Sequence, residues 1–114
     1  MEQPYRVTSV TVLASGPGVL VREFVFGPGK GTPWHRHSAV EDRSYVLAGA
    51  LVFETRDPPA SVELAAGDSH LVAAGTVHRV HNRSAAEARI VLVQHGGRYD
   101  FLAEPDGGPA VAEG

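Results

Sequence analysis

The chain has 114 residues, of which 43% are hydrophobic and 20% are charged, and this length and balance predict one globular domain with one core. It contains no cysteine, which excludes disulfide frameworks, thiolate metal sites and cysteine nucleophiles. Its formal net charge is -3 and its basic residues are scattered, so we expect no nucleic acid partner.

The distribution of apolar residues also bears on membranes. No apolar run approaches the length of a membrane helix, and the opening residues MEQPYRVTSV lack the basic start and apolar run of a signal peptide. We therefore expect a cytoplasmic protein with no membrane partner. The unusual feature of the composition is its six histidines.

Short runs of alternating apolar and polar residues, rich in valine and separated by glycine and proline, are typical of β-strands. Such runs predict strands at Tyr5–Ala14, Val19–Phe26, Trp34–His37, Arg43–Arg56, Ser61–Leu64, Ser69–Ala73, Val77–Asn82 and Ala88–His95. Many short strands with few helix-period segments predict an all-β sandwich or barrel.

Two further features concern the organisation of the chain. Gly49 interrupts the longest predicted strand, where glycine is normally avoided, so we expect a bulge or bend there that divides this run into two strands. After Phe101 the sequence has few groups to bury and is rich in glycine and proline. We predict a single β-barrel domain at residues 1–102 and a flexible tail at residues 103–114.

The histidines are concentrated where a metal site could form. His35 and His37 lie two residues apart in a predicted strand, so both side chains point to the same face. Glu41 and Asp42 follow closely, and His78 lies just after a predicted turn. Imidazole and carboxylate groups are ligands of divalent first-row metals, so this set is a candidate metal site.

The spacing of these residues resembles the two sequence motifs of the cupin superfamily, in particular its small single-domain members. The first cupin motif is a glycine, five residues, His-x-His, three or four residues, a glutamate, six residues and a glycine. The positions that match it here are Gly29, His35, His37 and Gly49.

The second cupin motif is a glycine, five residues, Pro-x-Gly, two residues, a histidine, three residues and an asparagine. The matching positions are Gly67, Gly75, His78 and Asn82. Ala73 stands where the motif has proline, which removes turn rigidity but no metal ligand. The resemblance covers Gly29–Asn82, with predicted strands on both sides.

The resemblance implies a cupin-type double-stranded β-helix, or jelly-roll barrel, in which His35, His37, His78 and one carboxylate bind a metal. Counting six residues back from the closing glycine selects Asp42, whereas the glutamate of the motif selects Glu41 with a seven-residue spacer. Alternation lets only one of these neighbours point inward. We favour Asp42 on register; the alternative is that neither binds and that three histidines and solvent hold the ion.

Such a ligand set suits one divalent ion, and geometry rather than affinity decides among Fe, Mn, Zn, Ni, Co and Cu. It leaves coordination positions for a small molecule. The resemblance therefore implies a metal-dependent enzyme acting on a small organic molecule, either a dioxygenase or a non-redox isomerase, cyclase or lyase. The alternative is a non-catalytic barrel that binds or senses a small ligand. Small cupins commonly pair through their first strands, which implies a homodimer.

Alternation also predicts where other side chains point. His81 lies three residues from His78 and should face outward, whereas Ser44 shares the inward face with Asp42. Arg22 is expected at the surface in a salt bridge or subunit contact, with carboxylate binding as the alternative. The aromatic residues expected to line the pocket or pack in the core are Phe24, Phe26, Trp34, Tyr45 and Phe53.

Overall fold

The computed structural model describes residues 7–105, and within this range the chain forms ten β-strands and no helix. The strands are β1 (Ser9–Gly16), β2 (Val19–Phe26), β3 (His35–Arg36), β4 (Glu41–Ala48), β5 (Ala50–Arg56), β6 (Pro59–Ala65), β7 (Ser69–Val72), β8 (His78–His81), β9 (Ala88–His95) and β10 (Leu102–Ala103). The predicted all-β class is confirmed. In the described part of the chain, no helix is long and apolar enough to cross a membrane.

The strands form two antiparallel sheets of five strands each, in the orders β1-β2-β9-β4-β7 and β10-β3-β8-β5-β6. Side chains from both sheets share one hydrophobic core. Its buried members are Phe24, Phe26, Val46, Leu51, Phe53, Leu64, Val80, Ala88, Ile90 and Leu92. Because inward and outward residues alternate along each strand, a polar residue at an inward position is placed inside the barrel.

Several predicted strand boundaries agree with the structure. β2 and β9 have the predicted bounds. Gly49 divides the predicted strand at residues 43–56 into β4 and β5, and it has a φ of 73°. The β4–β9 ladder shifts register between Val46 and Ala48, so the irregularity expected near Gly49 is confirmed.

Other boundaries differ from the prediction. β6 begins at Pro59 rather than Ser61, because pairing with β5 continues up to the Arg56–Pro59 pair next to the turn. β3 is shorter than predicted, and β10 was not predicted. The predicted first strand begins outside the described residues, and β1 ends at Gly16 rather than Ala14. Ala103 belongs to β10 and residues 106–114 lie outside the described range, so the flexible tail stays a prediction.

The segment after β9, residues 98–105, returns to β3 and is called here the C-terminal strap. The backbone N–H of Glu104 donates to the carbonyl of Trp34 at 2.9 Å. The Glu104 carboxylate also accepts a hydrogen bond from Arg36 Nε at 3.0 Å. These contacts, together with the β3–β10 pairing, hold the strap against the strand that carries the first predicted metal ligand.

Candidate metal centre

Four buried side chains converge inside the barrel. His35 lies in β3, His37 follows it, Asp42 lies in β4 and His78 lies in β8. One candidate ligand atom from each of the four lies within 4.8 Å of the others, and none of the four residues is more than 5% exposed. His35 and His78 are direct partners across the β3–β8 pair. The structure therefore brings together the four residues selected from the sequence.

The three imidazoles are oriented by the protein backbone. In each ring Nδ1 donates a hydrogen bond to a backbone carbonyl, which can only accept. The bonds join His35 to Pro33 at 2.8 Å, His37 to Asp100 at 2.6 Å and His78 to Thr76 at 2.8 Å. Because Nδ1 carries the proton, a neutral ring presents a lone pair on Nε2. Carbonyl partners of this kind orient metal-ligating histidines in proteins.

The contacts at the centre of the cluster test whether a cation fits. Asp42 Oδ2 lies 3.2 Å from Nε2 of His37 and 3.2 Å from Nε2 of His78. Because each Nδ1 already donates to a backbone carbonyl, these Nε2 atoms meet the carboxylate oxygen favourably only if each carries a second proton or if a cation lies between them. A bound metal cation would take the place of those protons. Three imidazole nitrogens and one carboxylate oxygen are also a suitable donor set for a divalent first-row metal.

Burial and mutual contact control the charges of the cluster. Burial, reinforced by the nearby His78, lowers the pKa of His35 to about 3, so this ring is neutral at pH 7. Burial alone would raise the pKa of Asp42, but hydrogen bonds from His37 and His78 outweigh it and hold that pKa below its ordinary value. Burial alone would lower the pKa of His37, but the Asp42 carboxylate reverses the direction and raises it.

The two candidate carboxylates, Glu41 and Asp42, lie on opposite faces of β4. Asp42 points into the cluster, whereas Glu41, its neighbour on β4, lies on the opposite face with its Oε1 3.0 Å from Nε2 of His95. Alternation along β4 accounts for this difference. Of the two carboxylates, only Asp42 belongs to the cluster, in agreement with the register argument. Metal binding by these four residues stays a prediction.

Two buried polar residues support Asp42, and one of them, Gln94, also lies near a histidine, with its Nε2 3.5 Å from Nε2 of His37. Gln94 Nε2 donates to Asp42 Oδ1 at 2.9 Å, and Gln94 Oε1 accepts from Arg22 NH2 at 2.6 Å. The predicted surface position of Arg22 is wrong, because β2 alternates and places Arg22 inward with Phe24 and Phe26. The Arg22 guanidinium carbon lies 5.1 Å from the centroid of the Phe24 ring.

Gln94 was not selected from the sequence, although the strand pattern contained a signal for it. Ala88, Ile90 and Leu92 form the buried face of β9, and Gln94 occupies the next position on that face. A glutamine that is 1% exposed within an apolar stripe must find hydrogen-bond partners. A polar residue in phase with a buried stripe is therefore worth treating as a candidate site residue.

The cluster borders a cavity of about 30 Å³, which is room for about one water molecule. Its aromatic walls are Phe24, Phe26, Phe53, Tyr99 and Phe101. Phe101, on the strap, stacks on the ring of His35 with centroids 4.3 Å apart and an interplanar angle of 12°. A second cavity of about 260 Å³ shares Gln94 and Tyr99 with the first. The strap thus completes the wall of the site.

The other candidate residues divide between the cavity and positions away from it. Ser44 faces inward and lines the cavity, and His81 faces away from it, with its Nε2 3.1 Å from Glu54 Oε1. Tyr45 is 41% exposed and does not line the cavity. Trp34 lies outside as well, because its ring is flanked by the guanidinium groups of two arginines. These are Arg56 and Arg79, whose guanidinium carbons lie 4.6 and 4.7 Å from the ring centroid.

The amino-acid sequence is similar to those of known proteins. A family profile described as "Cupin domain" matches residues 22–94. The chain is also 35% identical over 85 residues to the beta-alanine degradation protein BauB of Pseudomonas aeruginosa PAO1, a match that covers 71% of this chain and 85% of that protein.

Solved structures share the fold. A cupin domain from Bordetella pertussis Tohama I has a TM-score of 0.65 at 31% identity, over 85% of this chain and 99% of that one. A Klebsiella pneumoniae protein with a double-stranded β-helix domain has a TM-score of 0.73 at 25% identity, over 82% of each chain. The polyketide cyclase RemF from Streptomyces resistomycificus has a TM-score of 0.78 at 21% identity, over 95% of this chain and 79% of that one. These matches confirm the double-stranded β-helix, and the chain belongs to the cupin family.

Proposed function

We propose that the chain binds one divalent metal ion through His35, His37, Asp42 and His78 and acts as a metal-dependent enzyme on a small organic molecule. The observation that carries this proposal is the convergence of buried donor atoms whose rings are already oriented by backbone carbonyls. An ion entering such a site meets ligands that need little rearrangement, which favours both affinity and a defined geometry.

The protein groups around the centre indicate the class of ligand. When bound, the ion would supply Lewis-acid polarisation of an oxygen-bearing substrate or, if redox-active, chemistry with dioxygen. Phe53 and Phe101 exclude water and offer an apolar surface. The Arg22 guanidinium lines the same cavity and complements a negative charge. We therefore propose a small molecule with an apolar part and a carboxylate or enolate oxygen.

The size of the cavity constrains how such a molecule enters. A space of about 30 Å³ holds about one water molecule, so an organic substrate needs more room than this space alone provides. Gln94 and Tyr99 line both this space and the cavity of about 260 Å³. We propose that the substrate enters from the larger cavity, with Tyr99 moving aside.

Elemental metal analysis is the first experiment for this proposal. The protein is purified without chelator or affinity nickel, in parallel with His35→Ala and His78→Ala. We expect near-stoichiometric metal in the parent protein and its loss from both variants. The proposal is overturned if the parent holds no metal even after anaerobic loading with Fe(II), Mn(II) or Zn(II).

Turnover assays separate the classes of reaction. Small carboxylates are screened, beginning with β-alanine because the Pseudomonas relative is named for its degradation. Dioxygen consumption that requires both Fe(II) and substrate indicates a dioxygenase, whereas anaerobic turnover with Zn(II) or Mn(II) indicates an isomerase, cyclase or lyase. A non-catalytic binding or sensing barrel instead shows ligand affinity without turnover, and that affinity survives His78→Ala if the metal plays no part in binding.

A further inference from the structure

We propose that Gln94 is a positioning residue of the metal centre, which holds Asp42 so that a single carboxylate oxygen faces the imidazoles. Arg22 in turn holds the Gln94 amide. This inference rests on the proposed metal site and deepens it, because it explains how the carboxylate ligand is aimed.

The orientation of the Gln94 amide follows from its two partners. The guanidinium group of Arg22 can only donate hydrogen bonds, and the ionised carboxylate of Asp42 can only accept them. Gln94 lies between them, at 2.6 Å from Arg22 and 2.9 Å from Asp42, and its Nε2 is also 3.5 Å from Nε2 of His37. Its oxygen must therefore face Arg22 and its nitrogen must face Asp42. The reverse orientation would place the amide nitrogen against the Arg22 donor and the amide oxygen against the Asp42 acceptor.

The two oxygens of Asp42 consequently have different surroundings. Oδ1 accepts the hydrogen bond from Gln94, whereas Oδ2 lies 3.2 Å from Nε2 of both His37 and His78. The terminal torsion of an aspartate is broad, so rotamer preference alone does not select one oxygen. The bond from Gln94 makes that selection.

The backbone makes this arrangement rigid. Asp42 and Gln94 are direct partners in the β4–β9 ladder, and Gln94 is also paired with Leu20 of β2. β9 is therefore flanked by a paired strand on each side at this position. Gln94 is 1% exposed, so solvent does not compete for its amide. Its side chain is placed by the sheet rather than by the presence of an ion.

Loss of the Gln94 amide is expected to release Asp42 while leaving all four ligands in the chain. Oδ1 would lose its donor, and the carboxylate could rotate away from the histidines or turn both oxygens toward an ion. Replacement of residues that orient metal ligands typically lowers metal affinity by about 10- to 100-fold.

The experiment is a Co(II) titration of the full chain, followed by calorimetry and by the visible absorption of the bound ion. We expect Gln94→Met, which is similar in shape and has no amide, to bind Co(II) about 10- to 100-fold more weakly than the parent and with an altered spectrum. The matched control is Val46→Ala, a buried change on β4 that lines no described cavity around the cluster. It should weaken the fold but leave Co(II) affinity and the spectrum unchanged.

A double-mutant cycle separates positioning from a general effect on structure. In an Asp42→Ala background, the further change Gln94→Met should alter Co(II) affinity by less than about twofold, because the carboxylate it positions is gone and only the longer 3.5 Å contact with His37 remains. Arg22→Met provides a second variant, with an expected loss in the same direction but smaller, should Gln94→Met not fold.

The outcomes distinguish this inference from the proposed function. Parent protein that binds Co(II) while Gln94→Met binds it equally well, with the same spectrum, overturns the positioning role alone. An equal loss from Gln94→Met with and without Asp42 also overturns it, since the effect would not pass through Asp42. A parent that binds neither Co(II) nor any other divalent ion overturns the metal site and this inference together.

Discussion

The imidazoles of the candidate metal centre owe their orientation to carbonyls of two kinds. Two of those carbonyls are local, since Pro33 and Thr76 each precede their histidine by two residues. The third comes from Asp100 on the C-terminal strap and orients His37. Asp100 also accepts hydrogen bonds from the backbone N–H and the side chain of Ser38. The orientation of one ligand therefore depends on docking of the strap.

A carboxylate outside the metal centre gives a prediction about acid stability. Glu54 Oε1 lies 2.5 Å from Arg79 Nε and 3.1 Å from His81 Nε2, and its Oε2 lies 3.4 Å from Arg83. The hydrogen bond from Arg79 is the main cause that lowers the pKa of Glu54 below its ordinary value of 4.5. Folding therefore favours the ionised form, and the stabilisation is present above pH 4.5 and is lost as the pH falls through the lower folded pKa.

Glu54→Gln is thus expected to lower the free energy of unfolding at pH 7 by no more than about 1 kcal/mol, because the arginine partners are partly exposed. The difference from the parent should shrink toward zero as the solution is acidified below pH 4.5. Urea denaturation at several pH values measures it. Glu63→Gln, on the exposed face of the adjacent strand, serves as the control and should show little effect. A difference in unfolding free energy that grows on acidification would contradict the lowered pKa of Glu54.

At the residue scale, the resemblance to the cupin motifs selected His35, His37, His78 and Asp42, and alternation along the strand placed His35 and His37 on one face. The alternation of β9 marks Gln94 as a residue of the buried face but does not identify its partner, since the Asp42–Gln94 bond joins residues 52 positions apart. Contacts of that kind depend on which strands become neighbours, and a periodic pattern in one strand does not contain this information.

Among the elements, the junction of β4 and β5 depends on a glycine for two reasons. Gly49 has a φ of +73°, and a Cβ there would lie 2.5 Å from the carbonyl oxygen of Glu87 and 2.9 Å from Ala88 Cα. The positive φ at this position disfavours any residue with a side chain, and the neighbouring atoms leave no space for a Cβ. The bend separates a strand of the first sheet from a strand of the second.

Gly49→Ala is therefore expected to destabilise the fold by about 2 kcal/mol or more. Gly29→Ala is a matched control: Gly29 has a φ of +76°, but no atom of the described residues lies within 4 Å of the place a Cβ would take. Its cost should be limited to backbone strain, about 1 kcal/mol. Chemical denaturation of both variants measures the difference. Equal losses would show that crowding at Gly49 contributes nothing.

The elements that were predicted correctly are those with a strong local pattern. β2 and β9 are mostly apolar runs of eight residues, rich in valine, and had the predicted bounds. β10 has only two residues, Leu102–Ala103, and exists because the strap pairs with β3. No periodicity can be read from two residues, so such an element is defined by its partner rather than by its own sequence.

For the whole molecule, the candidate metal centre lies between the two sheets. Asp42 belongs to the first sheet, whereas His35 and His78 belong to the second. An ion bound by all of them would connect the sheets through the core. Metal binding should therefore stabilise the entire fold, since the ligands are brought together only in the folded chain.

Addition of Zn(II) is consequently expected to raise the melting temperature of the parent protein. At a free concentration 100 times the dissociation constant, the gain in unfolding free energy is about 2.7 kcal/mol. His78→Ala should lose most of this gain, whereas His81→Ala, which removes an outward-facing histidine, should keep it. Differential scanning calorimetry in the presence and absence of Zn(II) makes the comparison. The same gain in parent and His78→Ala would place the bound Zn(II) elsewhere.

The motif spacing and strand alternation were sufficient to predict the barrel, because both report local constraints repeated along the chain. The strap was not predicted to close the site, since Tyr99 and Phe101 lie beyond the last predicted strand. Their position over His35 and His37 results from tertiary packing. For this molecule, the architecture was predictable from sequence and the shape of its cavity was not.

The predicted homodimer concerns the edge of the first sheet. β1 is an edge strand, and its Val12 and Leu13 are 60% and 53% exposed. Leu13 lies at a shift in the β1–β2 register, so it has no direct partner on β2. Exposed apolar side chains along an unpaired strand edge favour association with another strand. We therefore expect pairing of two copies through β1, which would bury both side chains.

Leu13→Asp is expected to convert the dimer to a monomer, because pairing would place a carboxylate in an apolar contact. Leu47→Asp is the matched control: Leu47 is 50% exposed but lies on β4, away from this edge, so its replacement should leave the dimer intact. Size-exclusion chromatography with light scattering measures the mass of each protein. A monomeric parent would overturn the predicted dimer. A dimer that persists in Leu13→Asp but dissociates in Leu47→Asp would show that the interface is the outer face of the sheet rather than its edge.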